Sequence, residues 1–330
     1  MSRYAAAHAN PQGLDDARPT AMQIINDEAM EGNLVNKVIV ITGVSSGIGI
    51  ETVRALAATG ARLFLTARDL SKAKTALEDI FDATKMELVH MDQASLDSVR
   101  AAAAAILSKT DQITILVANA AIMAVQDRQL TENNYELQFA TNHLSHFLLF
   151  NLLKPALLAG SSADFQSRVV VVSAAAHRVV TLNDSGNYHF QKGGYSPWAA
   201  YGQSKLANIY MANEIERRYG SSGLHATSLH PGLIATGLAQ HLPEQEISAM
   251  LQNEFMLKMQ KSVEQGAATT VWAAVSKELE GKGGLYLNDC AVAERGEDDG
   301  IPALGMTSSS TYNPEEEARI WRDSLEMVGL

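Results

Sequence analysis

The chain has almost no cysteine, with Cys290 as the single one among its 330 residues. An internal disulfide is therefore impossible. Proteins without disulfides are typical of a reducing compartment, so we expect a cytoplasmic protein. Its nine histidines form no HExxH pattern or related spacing, and none is paired with cysteines as in a zinc motif. We therefore predict no metal site.

Positive charge and long apolar runs are also scarce. The chain has 26 Lys and Arg residues against 37 Asp and Glu residues, a net charge of −11. Such an acidic balance argues against a general affinity for nucleic acid or anionic membranes. Residues 1–37 contain no apolar run long enough for a signal peptide, and no later run reaches the about 18 residues of a membrane span. The most apolar helix, Phe147–Gly160, contains Pro155, which we expect to break it.

Short β-branched runs alternate with helical patterns along most of the chain. Continuous apolar strands that alternate with helices are typical of a parallel sheet covered on both faces. The predicted fold class is α/β: a single doubly wound Rossmann-type domain with a parallel seven-stranded sheet and helices on both faces. The seven predicted strands are Lys37–Gly43, Arg62–Arg68, Met86–Asp92, Ile113–Ala121, Val169–Ser173, Leu224–Gly232 and Gly283–Asn288.

We divide the chain into an N-terminal arm, residues 1–36, and one domain, residues 37–330. The arm has the pattern of a short amphipathic helix around Ala21–Met30 that packs on the domain. A loosely ordered arm is the equal alternative.

Three parts of the domain are expected to form the wall of a substrate pocket. They are a loop at 179–198, a segment at 235–260 and the C-terminal tail at 289–330. These parts carry a set of large apolar and aromatic side chains. Some of them will belong to the core, but together they suggest a roomy pocket for an apolar small molecule. The side chains in question are Tyr195, Trp198, Leu238, Leu242, Met250, Phe255, Met256 and Met259.

A glycine-rich turn, TGVSSGIG (Thr42–Gly49), joins the first predicted strand to the first helix. Gly43 permits a sharp turn, and Gly47 and Gly49 let the backbone approach a pyrophosphate closely. The free N–H groups at the start of the helix, beginning at Ile48, then face the phosphates. Between a β-branched strand and an amphipathic helix, this turn predicts a dinucleotide-binding site.

The end of the second strand predicts which dinucleotide binds. An acidic residue there would bond a ribose 2′-hydroxyl and favour NAD, but Ala67 and Arg68 occupy the place. The Arg68 guanidinium can pair with a 2′-phosphate, so we predict NADP(H). Asp69 is adjacent and is interpreted as the cap of the next helix. Ser45 and Ser46 can supply further hydroxyls to the phosphate.

Tyr201 and Lys205 are four residues apart on a predicted helix and therefore share one face. A lysine ammonium close to a phenol stabilises phenolate and lowers the phenol pKa from about 10 toward neutrality. A carbonyl that accepts a hydride on carbon needs a proton on oxygen. A tyrosine tuned in this way can give or take that proton.

These motifs together resemble the short-chain dehydrogenase/reductase family, whose glycine signature TGxxxGIG is unaltered here. The resemblance runs from about Lys37 to about Asn288. It is carried further by Asp92, by NAA at 119–121, by TNHLSHF at 141–147, by YGQSK at 201–205 and by HPGLIAT at 230–236.

The resemblance implies roles for residues that composition and spacing leave undecided. Asp92 would contact adenine, and Asn119 would line the cofactor ribose. Pro231, Ile234 and Thr236 match the segment that meets the nicotinamide carboxamide. Without the family, the same residues are interpreted as a helix cap, a turn asparagine and a strand-to-loop turn.

Asn142 matches the family asparagine that holds a backbone kink and a water relaying protons to the lysine. Its structural alternative is a hydrogen-bonded core amide. Family members often form dimers or tetramers through the helices after the fourth and fifth strands, so the resemblance implies a homodimer or homotetramer.

The stretch VVVVSAAAHR (Val169–Arg178) departs from the family pattern. The family's catalytic serine is the second of a pair, and alignment on His177 places Ala174 there, with Ser173 as the first of the pair. Because neighbouring side chains of a strand face opposite sides, Ser173 replaces the missing hydroxyl only if the strand ends or bulges.

Three outcomes follow from the missing serine. In the first, Ser173, a water or a hydroxyl from the loop 181–196 bonds the substrate carbonyl, and the enzyme is an ordinary reductase. In the second, the donor is absent and a slow reductase remains, because one preorganised donor contributes about 10²–10³ in rate. In the third, the NADP(H) site supports a non-redox reaction such as a cyclisation, isomerisation or dehydration.

The leading prediction is an NADP(H)-dependent oxidoreductase that interconverts a ketone or aldehyde and an alcohol. The stretches DARPTAMQII, YGQSKLANI and LYLNDC resemble the retinol-dehydrogenase-like branch, especially members from fungal secondary metabolism. That branch implies a polyketide-, terpenoid- or alkaloid-like substrate. Besides the non-redox enzyme, a nucleotide-sensing binding module without turnover is an alternative, against which Tyr201, Lys205 and Asn142 argue.

Overall fold

The computed structural model describes residues 2–301 and 305–330, and its centre is a β-sheet of eight strands. Two further short strands pair with each other beside that sheet. The strands are β1 (Val38–Thr42), β2 (Arg62–Ala67), β3 (Met86–His90), β4 (Ile115–Ala118), β5 (Ser167–Val172), β6 (Leu224–His230), β7 (Leu233–Ile234), β8 (Gln260–Lys261), β9 (Leu285–Asn288) and β10 (Ala291–Val292).

The strand order in the large sheet is β10-β9-β6-β5-β4-β1-β2-β3. Every pairing is parallel except that of β10 with β9. The predicted doubly wound sheet is therefore confirmed, with all seven predicted strands present. The eighth strand, β10, follows a tight turn in which Asp289 and Cys290 both have φ 53°. Its two residues are too few to give a strand pattern in the sequence.

Thirteen α-helical segments surround the sheets in the described part of the chain. They are α1 (Ala5–His8), α2 (Ala21–Asp27), α3 (Ile48–Ala58), α4 (Leu70–Ala76), α5 (Leu96–Leu107), α6 (Leu137–Phe139), α7 (Ser145–Gly160), α8 (Pro197–Tyr219), α9 (Glu244–Gln252), α10 (Glu254–Met259), α11 (Val263–Gly266), α12 (Ala268–Val275) and α13 (Pro314–Met327).

Both faces of the large sheet are buried, which explains why its strands are apolar at successive positions. Val171 of β5 faces a cluster formed with α5, α7, α8 and α13. Its neighbour Val170 faces a second cluster formed with α2, α3 and α12. The strand order reverses direction between β1 and β4, and a doubly wound sheet binds its ligand beyond the carboxyl ends of the strands at that point.

The helical region after β4 shows two features that its sequence pattern did not indicate. A π-helical turn, Ala140–Leu144, separates α6 from α7. The expectation that Pro155 breaks the helix was wrong, because α7 continues to Gly160. The proline removes only the one helical hydrogen bond that a backbone N–H at position 155 would donate. Gly160 ends the helix against the segment that leads into β4, since a side-chain carbon there would lie 2.1 Å from the Ile113 carbonyl oxygen.

The arm and the C-terminal tail both pack on this core. Ile24 and Ile25 of α2 are fully buried and belong to the cluster with α3 and α12. At the other face, the ring of Trp321 in α13 lies 4.9 Å from that of Phe147 and 6.2 Å from that of Phe150, both in α7. The helices α7 and α8 are therefore covered by the chain's own C-terminal helix.

Candidate active site

The glycine turn after β1 has the conformation that close approach of a phosphate requires. Gly43 and Gly47 have φ of 74° and 61°, which side chains disfavour. Gly49 lies against the turn, since a side-chain carbon there would be 2.1 Å from the Gly43 carbonyl oxygen. A side-chain carbon at Gly47 would lie 3.2 Å from the Thr236 side chain. The turn and the segment carrying Thr236 therefore lie against each other.

Asn119 lies directly beside this turn. Its side-chain amide donates to the carbonyl oxygens of Thr42 (2.9 Å) and Gly43 (3.1 Å). Its Oδ1 is buried and has no hydrogen-bond partner within the described residues. An unpaired buried acceptor is costly, and a ribose hydroxyl would satisfy it. A glycine cradle beside an unpaired acceptor fits a dinucleotide.

Arg68 sits at the same sheet edge, two residues beyond Thr66, whose carbonyl accepts a 3.0 Å bond from the Gly43 N–H. Its side chain is exposed and makes no ion pair with residues 2–301 or 305–330. Asp69 has the capping role expected of it, since Oδ1 accepts from the Lys72 N–H at 2.9 Å. Arg68 is thus free to meet a phosphate. Ser45 is half-buried and Ser46 exposed at the turn.

Asp92 follows β3 and stabilises a turn rather than the next helix. Its Oδ1 accepts from the Ala94 N–H at 2.9 Å, and its own N–H donates to Ser98 Oγ at 2.9 Å. The cap of α5 is Ser95. Asp92 is half-buried at the carboxyl edge of the sheet, and adenine contact stays a prediction.

Tyr201 and Lys205 share the buried face of α8, with the lysine Nζ 5.7 Å from the tyrosine ring centroid. Nζ donates a 3.0 Å bond to the Val172 carbonyl at the end of β5. Burial raises the pKa of Tyr201 and lowers the pKa of Lys205 to about 7. The sequence predicted a lowered phenol pKa. The difference arises because burial penalises both charged forms and the ammonium is bonded to a carbonyl.

Asn142 lies in the π-helical turn and all its amide hydrogens are engaged. Its Nδ2 donates to the Ile122 carbonyl and to Ser204 Oγ, both at 2.9 Å, and its Oδ1 accepts from the Ile122 N–H at 2.9 Å. Ser204 Oγ in turn donates to the Tyr201 carbonyl at 2.7 Å. The side chain therefore joins the helix distortion to the turn of α8 that carries Tyr201, and π-turns are frequent at functional sites.

His146 is a residue that sequence reasoning missed, having treated it only as an unsuitable metal ligand. Its Nδ1 lies 2.9 Å from the Asn142 carbonyl and its Nε2 lies 2.8 Å from Thr42 Oγ1. A carbonyl only accepts, so Nδ1 carries the hydrogen and Nε2 accepts from Thr42. Burial lowers the pKa of His146 to about 4 and keeps it neutral. Thr42 also accepts from the Asn119 N–H at 2.9 Å, so one network joins Asn142 to the glycine turn.

Ser173 is buried against α8, with its hydroxyl 2.7 Å from the Lys205 carbonyl oxygen, to which it donates. Its N–H still pairs with the Leu229 carbonyl of β6 at 2.7 Å, and Ala174 is extended with φ −158° and ψ 156°. Strand β5 ends at Val172, but the backbone stays extended through Ala174 and the Ser173 N–H continues the pairing with β6, so the alternation of side chains is kept without a bulge. The two side chains face opposite sides. A role for Ser173 as the substrate's donor stays a prediction, and its one hydrogen is engaged elsewhere.

The loop 179–198 offers few free hydroxyls in its place. Ser185 and Tyr188 both donate to the Asp323 carboxylate, and Tyr195 donates to the Val125 carbonyl at 2.6 Å. Thr181 and Ser196 are the loop hydroxyls that donate to no acceptor within the described ranges.

The expected substrate wall closes over Tyr201. Trp198 Nε1 donates to Glu246 Oε2 of α9 at 3.2 Å, and the Trp198 ring meets the Tyr201 ring edge-to-face at 6.0 Å. Leu242 is buried, whereas Phe255 is 49% exposed and does not line an enclosed pocket. The remaining predicted wall residues, namely Tyr195, Leu238, Met250, Met256 and Met259, are half-buried. Pro231 and Ile234 are half-buried beside Thr236.

Two absences hold for the part of the chain that the structure describes. No helix there has both the length and the apolar character needed to cross a membrane. No group of three or more His, Cys, Asp or Glu side chains is arranged to hold a metal ion.

Comparisons with known proteins agree with this geometry. The family model described as short chain dehydrogenase matches residues 37–247. Short-chain dehydrogenase/reductase prx1 of Penicillium roqueforti is 46% identical over 329 residues, covering 99% of this chain and 95% of that protein. Oxidoreductase calI of Penicillium decumbens is 43% identical, covering 100% of this chain and 98% of that protein. A solved structure of an uncharacterized protein from Mycobacterium paratuberculosis is 29% identical, with a TM-score of 0.69 over 94% of this chain and 98% of that chain.

Proposed function

The chain belongs to the short-chain dehydrogenase/reductase family, and from that premise we propose that it is an NADP(H)-dependent oxidoreductase. It interconverts a ketone or aldehyde with an alcohol on an apolar small molecule. The observation that carries the proposal is the buried pair Tyr201 and Lys205 on α8, which lies at the carboxyl edge of the sheet with the glycine turn. Arg68, exposed and without an ion partner in the described chain, supports the preference for NADP(H).

The residues of this chain bind the cofactor, orient the substrate and protonate the substrate's carbonyl oxygen. NADPH, when bound, supplies a hydride to the carbonyl carbon. Tyr201 donates its phenolic proton to the carbonyl oxygen, and its raised pKa keeps that proton in place until the oxygen becomes basic. Lys205 accommodates the charge left on Tyr201, and its pKa of about 7 lets it take up a proton near neutral pH. Asn142 and Ser204 fix the turn of α8 on which Tyr201 stands.

Trp198 and Glu246 close the substrate wall above Tyr201, which would exclude water from the reacting carbonyl. The prx1 and calI proteins are fungal, and the proposal includes a polyketide-, terpenoid- or alkaloid-like substrate of secondary metabolism. It also includes a cytoplasmic location and a homodimer or homotetramer. Since α13 covers α7 and α8, such an assembly would use another surface.

The alternative is a non-redox enzyme of the same fold, and a specific observation favours keeping it. Ala174 replaces the family serine, and Ser173 donates to the Lys205 carbonyl. A cyclisation, isomerisation or dehydration can use Tyr201 as an acid or base. It involves no hydride transfer, so it does not need the serine hydroxyl that bonds the substrate oxygen during carbonyl reduction.

The test is turnover of a panel of apolar ketones with NADPH, followed by nicotinamide absorbance and by product analysis. We expect oxidation of NADPH in step with alcohol formation, loss of turnover in Tyr201→Phe, and retained NADPH binding in that variant. Tyr219→Phe, at the far end of the same helix, is the matched control and should turn over normally. Conversion of substrate without net change in absorbance would instead support the non-redox enzyme. A purified protein that binds neither NADPH nor NADH would refute both.

A further inference from the structure

The N-terminal arm reaches the nicotinamide side of the site, and we infer that Arg18 is a positioning residue for cofactor binding. The inference rests on the proposed function, because it assumes that the segment Pro231–Thr236 meets the nicotinamide half of NADP(H). The family model begins at residue 37 and therefore does not include the arm.

Arg18 is 4% exposed and its guanidinium is engaged on every side. Nη1 donates to the Met259 carbonyl at 2.9 Å, and Nη2 donates to the Gln260 carbonyl at 2.6 Å and to the Gly13 carbonyl at 2.8 Å. Nε donates to Asp16 Oδ1 at 2.8 Å. A buried guanidinium with this many acceptors holds them in one geometry, because its planar fork is rigid.

Two of those acceptors lie at the strand that supports the nicotinamide segment. Gln260 and Lys261 form β8, which pairs in register with Leu233 and Ile234 of β7. Thr236, two residues beyond β7, lies against the glycine turn. Arg18 therefore fixes β8, β8 fixes β7, and β7 sets the position of the residues facing the cofactor.

Lys261 adds a second link between these parts. It is 3% exposed, and its Nζ donates to Asp289 Oδ1 at 2.7 Å and to the Pro231 carbonyl at 3.4 Å. His8 of the arm lies 3.2 Å from the same Asp289 oxygen. The arm is thus linked to Pro231 through Asp289 and Lys261, and to Ile234 through β8.

Gln265 locks the arm to α11, which follows β8. Its Nε2 donates to the main-chain oxygens of Asp16 (3.2 Å) and Arg18 (3.0 Å). Its Oε1 accepts from the Asp15 N–H at 3.3 Å. The next residue, Gly266, lies so close to Ile234 that a side-chain carbon would be 2.5 Å from it. The arm, α11 and β7 are therefore joined by direct contacts.

The test compares two ligands on the full-length protein. NADP⁺ reaches both halves of the site, whereas 2′,5′-ADP has the adenosine and 2′-phosphate but no nicotinamide. In Arg18→Met we expect the Kd of NADP⁺ to rise about tenfold, because misplacement of β7 weakens one or two hydrogen bonds to the nicotinamide half, and about 1.4 kcal/mol corresponds to tenfold in Kd. The Kd of 2′,5′-ADP should stay within about twofold of wild type, because its contacts do not involve β7.

Arg3→Met is the matched control. Arg3 also lies in the arm, but it bonds the Asp27 carbonyl and Glu28, so both Kd values should stay at the wild-type level. Arg18→Lys keeps the positive charge but loses the planar guanidinium. It should raise the Kd of NADP⁺ by a smaller factor and leave the Kd of 2′,5′-ADP unchanged. This variant replaces Arg18→Met in the test if Arg18→Met fails to fold.

Three results would overturn the inference. Unchanged NADP⁺ binding in Arg18→Met and Arg18→Lys would show that the arm does not position the segment. An equal loss of both ligands would show a general loss of structure. If wild type binds 2′,5′-ADP and NADP⁺ equally, the nicotinamide half makes no contact to position. Failure of wild type to bind either ligand would refute the proposed function itself.

Discussion

The hydroxyl of Ser173 donates a 2.7 Å hydrogen bond to the main-chain carbonyl of Lys205. The bond ties the end of β5 to the helix turn that presents the lysine ammonium, and Nζ of the same lysine returns to the Val172 carbonyl at 3.0 Å. Ser173 and Lys205 thus hold strand and helix together from both sides. The serine acts on the site through the lysine's backbone, and its neighbour Ala174 has no hydroxyl to offer.

Ala174→Ser is expected to raise ketone reduction at least several-fold. The new hydroxyl would stand on the strand position opposite to Ser173, where the family places a donor to the substrate oxygen, and such donors contribute about 10²–10³ in rate. The measurement is kcat with NADPH and an accepted ketone. Ser173→Ala is the control: it should lower stability by about 1 kcal/mol and reduce kcat far less than removal of a donor does. No gain in Ala174→Ser, together with loss of activity in Ser173→Ala, would assign the donor role to Ser173.

Arg68→Ala should change the choice between the two nicotinamide cofactors. Loss of a charge-assisted contact to a 2′-phosphate removes about 1.5–3 kcal/mol, which corresponds to a rise of about 10- to 150-fold in the Kd of NADPH. NADH, which lacks that phosphate, should bind with unchanged affinity. Titration of both cofactors, followed by fluorescence, measures the two values.

The control for Arg68→Ala is Lys74→Ala, which removes an exposed cation near the end of α4. It should leave both affinities unchanged apart from a small salt-dependent effect. Equal weakening of NADPH and NADH by Arg68→Ala would contradict a 2′-phosphate contact.

The sheet and the glycine turn could be predicted because their signals are local. The Val169–Val172 run of β5 is apolar at every position, since one set of side chains faces each layer of helices. Gly43, Gly47 and Gly49 stand in the sequence where the turn needs them. In the structure, side-chain carbons at Gly43 and Gly49 would collide with the backbone, and Gly47 has a positive φ of 61°.

The contacts within the site could not be predicted, because they join residues far apart in the chain. His146 bonds Thr42 across 104 positions of sequence, and no pattern around either residue signals the other. Burial raises the pKa of Tyr201, and the spacing of residues on a helix does not reveal whether a side chain is buried. A proline inside a helix usually breaks it, yet α7 continues past Pro155. The tertiary contacts of the packed helix outweigh the one hydrogen bond that the proline cannot make.

Trp321→Ala should destabilise the fold strongly. The ring is 4% exposed and packs between Phe147 and Phe150 of α7 and the Arg218 guanidinium of α8, so its removal leaves a cavity. Truncations of this kind cost about 3–5 kcal/mol, and urea denaturation measures the change in the free energy of unfolding. Leu330→Ala, at a 54% exposed position nearby in sequence, should change it by less than about 0.5 kcal/mol. A loss for Trp321→Ala no larger than that of the control would contradict the packing of α13 on α7 and α8.

Lys205 should make the stability of the cofactor-free protein depend on pH above neutrality. Burial lowers its pKa from 10.5 to about 7, so between these values the unfolded chain binds a proton that the folded chain does not. Stability therefore rises as pH increases from about 7 toward 10.5, and this contribution is flat below about pH 7, where both states are protonated. Urea midpoints between about pH 6 and pH 9 measure this slope for wild type and for Lys205→Met.

The difference in the free energy of unfolding between wild type and Lys205→Met isolates this group, because all other titrating groups are shared. It should shift in favour of wild type as pH rises, whereas Lys74→Met, at an exposed position, should show a constant difference. The opposite slope would mean that the buried ammonium is stabilised by a partner in the free protein. In that event Lys205 would hold its charge before NADP(H) binds, and the phenol of Tyr201 would titrate at lower pH than its burial implies.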